Sequence, residues 1–544
     1  MVVCIESDVL VLGTGGAGLR AAIEAEAQGA KVIAVSKSPA GMNNATAVAG
    51  GGFRVAIGSL TPEDHVKDTI KVGKEINNRH LVEILAREGG DRVLGLRQFG
   101  VELKIHQSGV SVGNIPSLKG LGLTGPLVNY LKSRGVRFFD NVIVTSILTH
   151  REAVVGAVGY DVHNDQPLTF SSNAIILATG GAGALYKRTD CPLRTTGDGY
   201  SLAYRAGARL RDMEFVQFFP LGLAEPGIPP YLVGGYISEE GRIINSLGED
   251  LPWKYSITAR PLTEKSRDLL SRAIMIEILE GRSVDGKVLV DATEVFKRRG
   301  TKDLFSEGPY HDSRDPISLH NRLKAAERPF HVAPICHFCM GGVIIDEHGR
   351  TDIPGLYAAG EVVGGVHGAN RYGGNALTET IVFGQRAGAA AAAYTKTKSH
   401  ISVDSIARTE LKRYETLRSK KANEVNDPSA IMSRLRELMW LKVGIIRNEL
   451  GLKEALAEIK EYKKMVPMIT TSRKDMLMGL EAAMAIDTTE MIIRSAMRRK
   501  ESRGAHYRND YPQEDRNWMK TVTVIRNKDG KMHLLTKSAQ AQAC

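Results

Sequence analysis

Residues 8–38 read DVLVLGTGGAGLRAAIEAEAQGAKVIAVSKS, and this stretch decides the fold. Residues 8–12 are an apolar, β-rich run. Gly13, Gly15 and Gly18 form G-x-G-x-x-G, residues 19–28 have helical spacing, and Gly29 ends them before a second strand at 31–35. Glycines in that pattern are a weak signal alone. Strand, glycine turn, helix and strand within about 30 residues together make the first half of a dinucleotide-binding α/β unit. The small segment Gly13, Gly15, Gly16, Ala17 and Gly18 lets a pyrophosphate approach the backbone, and the helix N-terminus behind it favours negative charge. Where such sites often carry an acid for a ribose, this chain has Ser36 and Lys37.

Other segments converge on the same ligand. From Gly349 to Ala392 the chain reads GRTDIPGLYAAGEVVGGVHGANRYGGNALTETIVFGQRAGAAAA. The run IPGLYAAGE has the form of a buried parallel strand delivering Glu361 at its carboxyl end, the edge where open α/β sheets bind ligands. Helix formers beginning Asn375, Ala376, Leu377 follow two glycines and aim N–H groups at an electron-rich partner. NAIILATGGAGALY brings Ala178, Thr179, Gly180 and Gly181 to the same edge. In TTGDGYSLAYRAGA, Asp198 reads from its position as a cap of the next helix.

HFCMGG, AAGE, GANRYGGNAL and VFGQRAG, in this order, resemble the flavoprotein subunits of succinate dehydrogenase and fumarate reductase, a family that also contains L-aspartate oxidase. The resemblance spans nearly the whole chain. It implies an α/β fold: a Rossmann-like FAD-binding domain in two parts (1–230 and 336–396), an inserted α+β capping domain (231–335), and a C-terminal helical domain (397–544) with a terminal hairpin turning at Asp529 and Gly530. Ser and Lys at 36 and 37 are also common in that family, which favours FAD over NAD. In GMNNATAVAGGGFRVAIG (41–58), read as a loop, it assigns Asn44, Gly51 and Gly52 to the cofactor, and in TTGDGYSLAYRAGA it sets Asp198 beside the cofactor as the alternative to a helix cap. Ala45 falls where the family has a flavin-linking histidine. Alanine has no nucleophilic nitrogen, so FAD is expected to be noncovalent.

The same resemblance assigns catalysis. RDLLSRA gives Arg267 as proton donor or acceptor beside a hydride exchanged at flavin N5, and His337 and Arg371 bind a substrate carboxylate, for which a planar guanidinium is suited. Four positions depart from the pattern: Phe219 replaces a substrate-binding histidine, and Val233, Gly234 and Ile237 align with polar residues. Half of the carboxylate clamp is thus kept and half rebuilt. The expected substrate has one carboxylate and a less polar remainder on Phe219. The expected activity interconverts a saturated carboxylate and its α,β-unsaturated counterpart. The alternatives are an electron-transfer or assembly flavoprotein with a decayed pocket, and an L-aspartate oxidase-like amine oxidase.

Composition narrows the rest. At 544 residues, 43% hydrophobic and 24% charged, the chain is a globular protein of two to four domains. No apolar run reaches the roughly 18 residues of a membrane span, and residues 1–16 lack a secretory pattern, so a cytoplasmic protein is expected. Five scattered cysteines argue against a disulfide framework. Cys336, His337, Cys339 and His331 match no common zinc spacing, so no metal is assigned. No cysteine cluster could hold an iron–sulfur centre, so electrons are expected to pass to an iron–sulfur partner subunit, which could also hold the chain at the inner face of a membrane. The net charge of +11 comes without basic–aromatic interleaving, which argues against nucleic acid and fits a docking face for an acidic protein.

Overall fold

The computed structural model describes residues 3–113, 119–301, 315–419, 427–465, 473–526 and 530–539. The opening run forms strand Val3–Leu12, helix Gly16–Ala27 and strand Val32–Ser36. These enter a seven-stranded sheet in which Arg137–Asp140, Val32–Ser36, Val3–Leu12 and Gln166–Leu177 lie side by side and parallel. Beyond Gln166–Leu177 the sheet divides. Its first half pairs antiparallel with the hairpin Val142–His150 and Ala153–Asp161, and Ile175 to Leu177 pair in parallel with Leu356–Ala358. The runs LVL and IIL therefore end at one carboxyl edge, with Ala178 following one strand and Ala359 to Glu361 following another.

Helix Asn375–Thr395 crosses helix Gly16–Ala27 closely. Gly384 and Gly388, four residues apart on one face, make this possible. A Cβ on Gly384 would stand 2.6 Å from the Ala17 carbonyl oxygen, and one on Gly388 would meet that of Ala21. The run VFGQRAG is thus the contact that brings the two halves of the cofactor-binding region together.

A second core surrounds an antiparallel sheet ordered Val216–Leu223, Phe330–Cys339, Val288–Asp291, Arg242–Ile244. Helix Arg267–Leu279 packs on it through Leu270, Ala273 and Ile274. This capping layer takes in Val216–Leu223, earlier than residue 231. The chain ends in helices Asp404–Ser419, Pro428–Lys442, Glu449–Met465 and Arg473–Arg498 and the hairpin Lys520–Arg526 with Met532–Ser538. Asp529, expected at the turn, lies outside the described residues. Buried Arg499 ties this unit to the rest, pairing with Glu214 at 2.6 Å and Glu501 at 2.9 Å.

Two local readings are corrected. The sequence of residues 62–135 reads as helices with charged faces, yet Leu103–His106 and Gly109–Val112 form a hairpin that pairs with Gly52–Phe53. Two four-residue strands are too short for their alternation to stand out from flanking helical periodicity. The loop 41–58 contains a short helix, Ala45–Val48, because the Asn44 side chain accepts from the Ala47 N–H at 2.9 Å. Among the described residues no helix is long and apolar enough to cross a membrane.

Candidate functional site

A continuous cavity of about 1930 Å³ runs along the carboxyl edge of the large sheet and under the capping layer. Gly13, Gly15, Gly16, Ala17, Ser36, Lys37, Asn44, Gly51, Gly52, Ala178, Thr179, Gly180, Asp198, Glu361, Ala376 and Leu377 line one part of it. Gly18, Gly181 and Asn375 support the wall from behind. A Cβ on Gly18 would strike the Gly13 carbonyl, and one on Gly181 the Glu361 carboxylate. Asn375 is held between His65 Nε2 at 2.8 Å and Thr69 Oγ1 at 2.9 Å, which fixes the first turn of its helix.

These residues fit a dinucleotide. Gly13 has φ +110°, and a Cβ there would drive into the Ala178 carbonyl, so the turn stays bare where the two strands converge. Helices Gly16–Ala27 and Asn375–Thr395 both begin at this cavity behind a glycine N-cap that offers no side-chain bond; Thr46 Oγ1 accepts the Gly16 N–H at 3.0 Å, and the remaining N–H groups suit phosphate or an anionic ring edge. Thr179 Oγ1, on the wall, is buried without a hydrogen-bond partner among the described residues.

Lys37 and Asp198 act as a pair. The Lys37 ammonium bonds Asp198 Oδ2 at 2.6 Å and Glu481 Oε1 at 2.8 Å, and donates to the Arg194 carbonyl at 2.6 Å. Asp198 lies inside its helix after Gly197 and makes no capping bond, so the capping alternative is not realised; Asp198 instead accepts from Thr196 Oγ1 at 2.7 Å. The Glu361 carboxylate accepts the Cys339 N–H at 3.0 Å, and burial pushes its pKa up to about 7.

At the other end of the cavity stand Arg267, His337 and Arg371, gathered about two phenylalanines. Arg267, at the start of its helix, donates from Nε to the Thr263 carbonyl at 2.8 Å and from Nη1 to Gln217 Oε1 at 2.9 Å. Its guanidinium carbon sits 5.0 Å from the Phe219 ring centre. Burial, and then the neighbouring Arg371 charge, push its pKa down to about 9. Arg371 lies 4.8 Å from the Phe338 ring centre and is pushed down to about 10, mainly by burial. Its Nε is buried and unpartnered among the described residues. The His337 ring packs tilted at 60° to that of Phe219, 5.8 Å between centres, and its Nδ1 meets Asp190 Oδ2 at 2.7 Å. Burial lowers its pKa, against the pull of Asp190.

The four departures separate into two kinds. Phe219 and Gly234 line the cavity, whereas Val233 and Ile237 do not and are fully buried in the capping core. Sequence reasoning missed two contributors. Gln217 receives Arg267 and donates to Asn370 Oδ1 at 2.6 Å and to the Arg371 carbonyl at 3.0 Å, joining both arginines. Asp190 orients His337; its signal, an acid in a turn beyond the strand ending at Leu177, is legible only once that edge is known as the binding edge.

Comparison with known proteins agrees. A family model described as FAD binding domain matches residues 8–377, and one described as fumarate reductase flavoprotein C-term matches 432–544. These define an FAD-dependent oxidoreductase. A fumarate reductase (CoM/CoB) subunit from Methanothermobacter marburgensis is 35% identical over 96% of this chain and 97% of its own. The L-aspartate oxidase of Synechocystis is 30% identical over 95% and 96%. A solved Mycobacterium smegmatis Sdh1 in complex with UQ1 superposes with TM-score 0.86 at 28% identity, covering 99% of this chain and 95% of that one. The chain belongs to the family of fumarate reductase and succinate dehydrogenase flavoprotein subunits.

Proposed function

We propose that the protein interconverts a saturated carboxylate and its α,β-unsaturated counterpart. One observation carries this reading: two buried guanidiniums, Arg267 and Arg371, share one cavity with His337, around Phe219, alongside the dinucleotide-binding turns. FAD, when bound, supplies or takes up the hydride. The unpartnered Nε of Arg371 and its delocalised charge bind the substrate carboxylate. Asp190 holds the His337 ring by Nδ1, and an arriving carboxylate favours a proton on Nε2 that the ring then donates. Arg267, fixed through Nε and Nη1, gives a proton to the carbon next to the carboxylate during reduction and takes one during oxidation. An arginine at about 9 can do this near neutral pH where an ordinary one could not. The capping layer, which brings Arg267, excludes water from the reacting carbons.

With Ala45 in place of a nucleophile, FAD is held noncovalently. Electrons pass to or from an iron–sulfur partner subunit, since no group of metal-ligating side chains occurs among the described residues and the fumarate reductase relative is itself named as one subunit of its enzyme. That partner would also be the chain's link to the inner face of a membrane. The test is a panel of enoates added anaerobically to reduced holoprotein and of saturated acids added to oxidised holoprotein. Return or bleaching of the flavin band is expected. A band that responds to neither panel refutes the reading and favours an electron-relay subunit, while peroxide formed from aspartate would select the oxidase alternative.

A further inference from the structure

We propose that Arg188 is a specificity-determining residue that binds a second anionic group of the substrate, so that the rebuilt half of the clamp reads a second carboxylate. The proposal rests on the activity proposed above and deepens it.

The argument begins with the strand that carries His337. Thr189 forms a parallel bridge with Cys336, the Cys336 N–H donates to the Arg188 carbonyl at 2.9 Å, and Asp190 meets His337. Residues 188–190 therefore run alongside 334–337 in register. Arg188 and Asp190 stand two positions apart about the Thr189 bridge, and both line the cavity. Arg188 thus lies beside the strand that carries His337, on the wall of the same cavity. Its Nε reaches the Pro334 carbonyl at 3.4 Å, and Pro334 is next to Ile335, the register partner of Phe219. Phe219 lines the same cavity, its ring centre 5.8 Å from that of His337.

The charge of Arg188 is available. The neighbouring cations are engaged: Lys187 pairs with Glu437 at 2.7 Å and Arg194 with Glu481 at 3.1 Å. The half-buried Arg188 has no carboxylate partner among the described residues, and desolvation lowers its pKa. A guanidinium turned into a ligand cavity with only one long bond to a carbonyl has donors left for an anion, and its fork suits a carboxylate. One carboxylate at Arg371 and His337, a short chain across Phe219, and a second carboxylate at Arg188 give each anion a guanidinium. Phe219 then contacts the middle of the substrate, and no anion is left facing an apolar wall.

The experiment compares succinate with butyrate, which differ by one carboxylate, binding to oxidised holoprotein, read by calorimetry and by the shift of the flavin band. Fumarate and crotonate serve as the matching pair for reoxidation of the reduced protein. Wild type is expected to prefer the diacid. Arg188→Ala is expected to cut that preference about 10- to 100-fold, the range for one charge-assisted bond. Arg188→Lys, which keeps charge without the fork, should retain part of it and guards against a folding defect. A wild type that binds both acids alike, or an Arg188→Ala whose preference is unchanged, overturns the assignment and returns the substrate to a monocarboxylate. If the preference depends on Arg188 but neither enoate restores the flavin band, Arg188 stands as an anion site and the proposed activity falls.

Discussion

Replacing Arg267 by glutamine is expected to remove turnover and leave the fold close to wild-type stability, a combination a surface arginine or a purely structural one would not give. The guanidinium is buried beside Arg371 and its pKa is pushed down to about 9. Against an ordinary arginine near 12.5, and at about 1.4 kcal/mol per pH unit, that is roughly 5 kcal/mol against the charged form at neutral pH. The sign is that of a cation held less tightly by the folded state. The cost is fully present below pH 9 and is relieved as pH rises from 9 towards the unfolded value. Glutamine removes this cost. It also removes the bonds to the Thr263 carbonyl and Gln217 Oε1, together roughly 3–6 kcal/mol. The two nearly cancel, so urea unfolding should differ by no more than about 2 kcal/mol. Chemistry should not survive, because a positioned proton donor contributes about 10²- to 10⁴-fold. Anaerobic stopped-flow reoxidation of reduced holoprotein by an enoate reads this directly. The wild-type rate at low substrate should be level below about pH 9 and fall tenfold per unit above it, more steeply once Arg371 titrates near 10. The variant's residual rate should show no break at 9. A variant within tenfold of wild type, or a wild-type rate level to pH 10.5, refutes the assignment.

Gly13→Ala should give a protein that carries little FAD: its φ of +110° disfavours any L side chain, and the new methyl would drive into the Ala178 carbonyl where the pyrophosphate must approach. The ratio of flavin to protein absorbance checks it, and full occupancy would contradict the turn's role. Glu361→Gln should flatten the acid side of the stability profile. Burial raises the Glu361 pKa to about 7, so the folded state binds the proton more tightly, and wild type should lose roughly 3 kcal/mol as pH rises from about 4.5 through 7. Unfolding midpoints at pH 5 and 8 that differ as much in the variant as in wild type would be inconsistent with that carboxyl being the cause.

What was legible in the sequence was whatever is encoded locally. The glycine turn at Gly13 and the strand and helix around it follow from a 31-residue stretch. Arg267, His337 and Arg371 could be named only because each sits in a short recognisable run, and their shared cavity is not written in any of the three. Contacts that join distant segments were out of reach: Lys37 meets Glu481 from 444 positions away, and Gln217 touches Arg267 from 50 positions on one side and Arg371 from 154 on the other.

The departures show how aligned positions can mislead about a pocket. A polar residue replaced by an apolar one suggests a lost contact, but that inference needs the side chain to face the ligand. Val233 and Ile237 face Leu270, Ile274 and the rest of the capping core, where an apolar side chain adds to burial. Only Phe219 and Gly234 alter the cavity wall. Phe219, set between the Arg267 guanidinium and the His337 ring, also acts on charge. It packs on both, and desolvation is the first cause of the depressed pKa at each. The change that looks like loss of a carboxylate ligand thus helps bring an arginine to a proton affinity useful near neutral pH. A second carboxylate then needs a cation elsewhere on the same wall, and the Arg188 guanidinium, held to the Pro334 carbonyl and without a carboxylate partner among the described residues, is the one proposed.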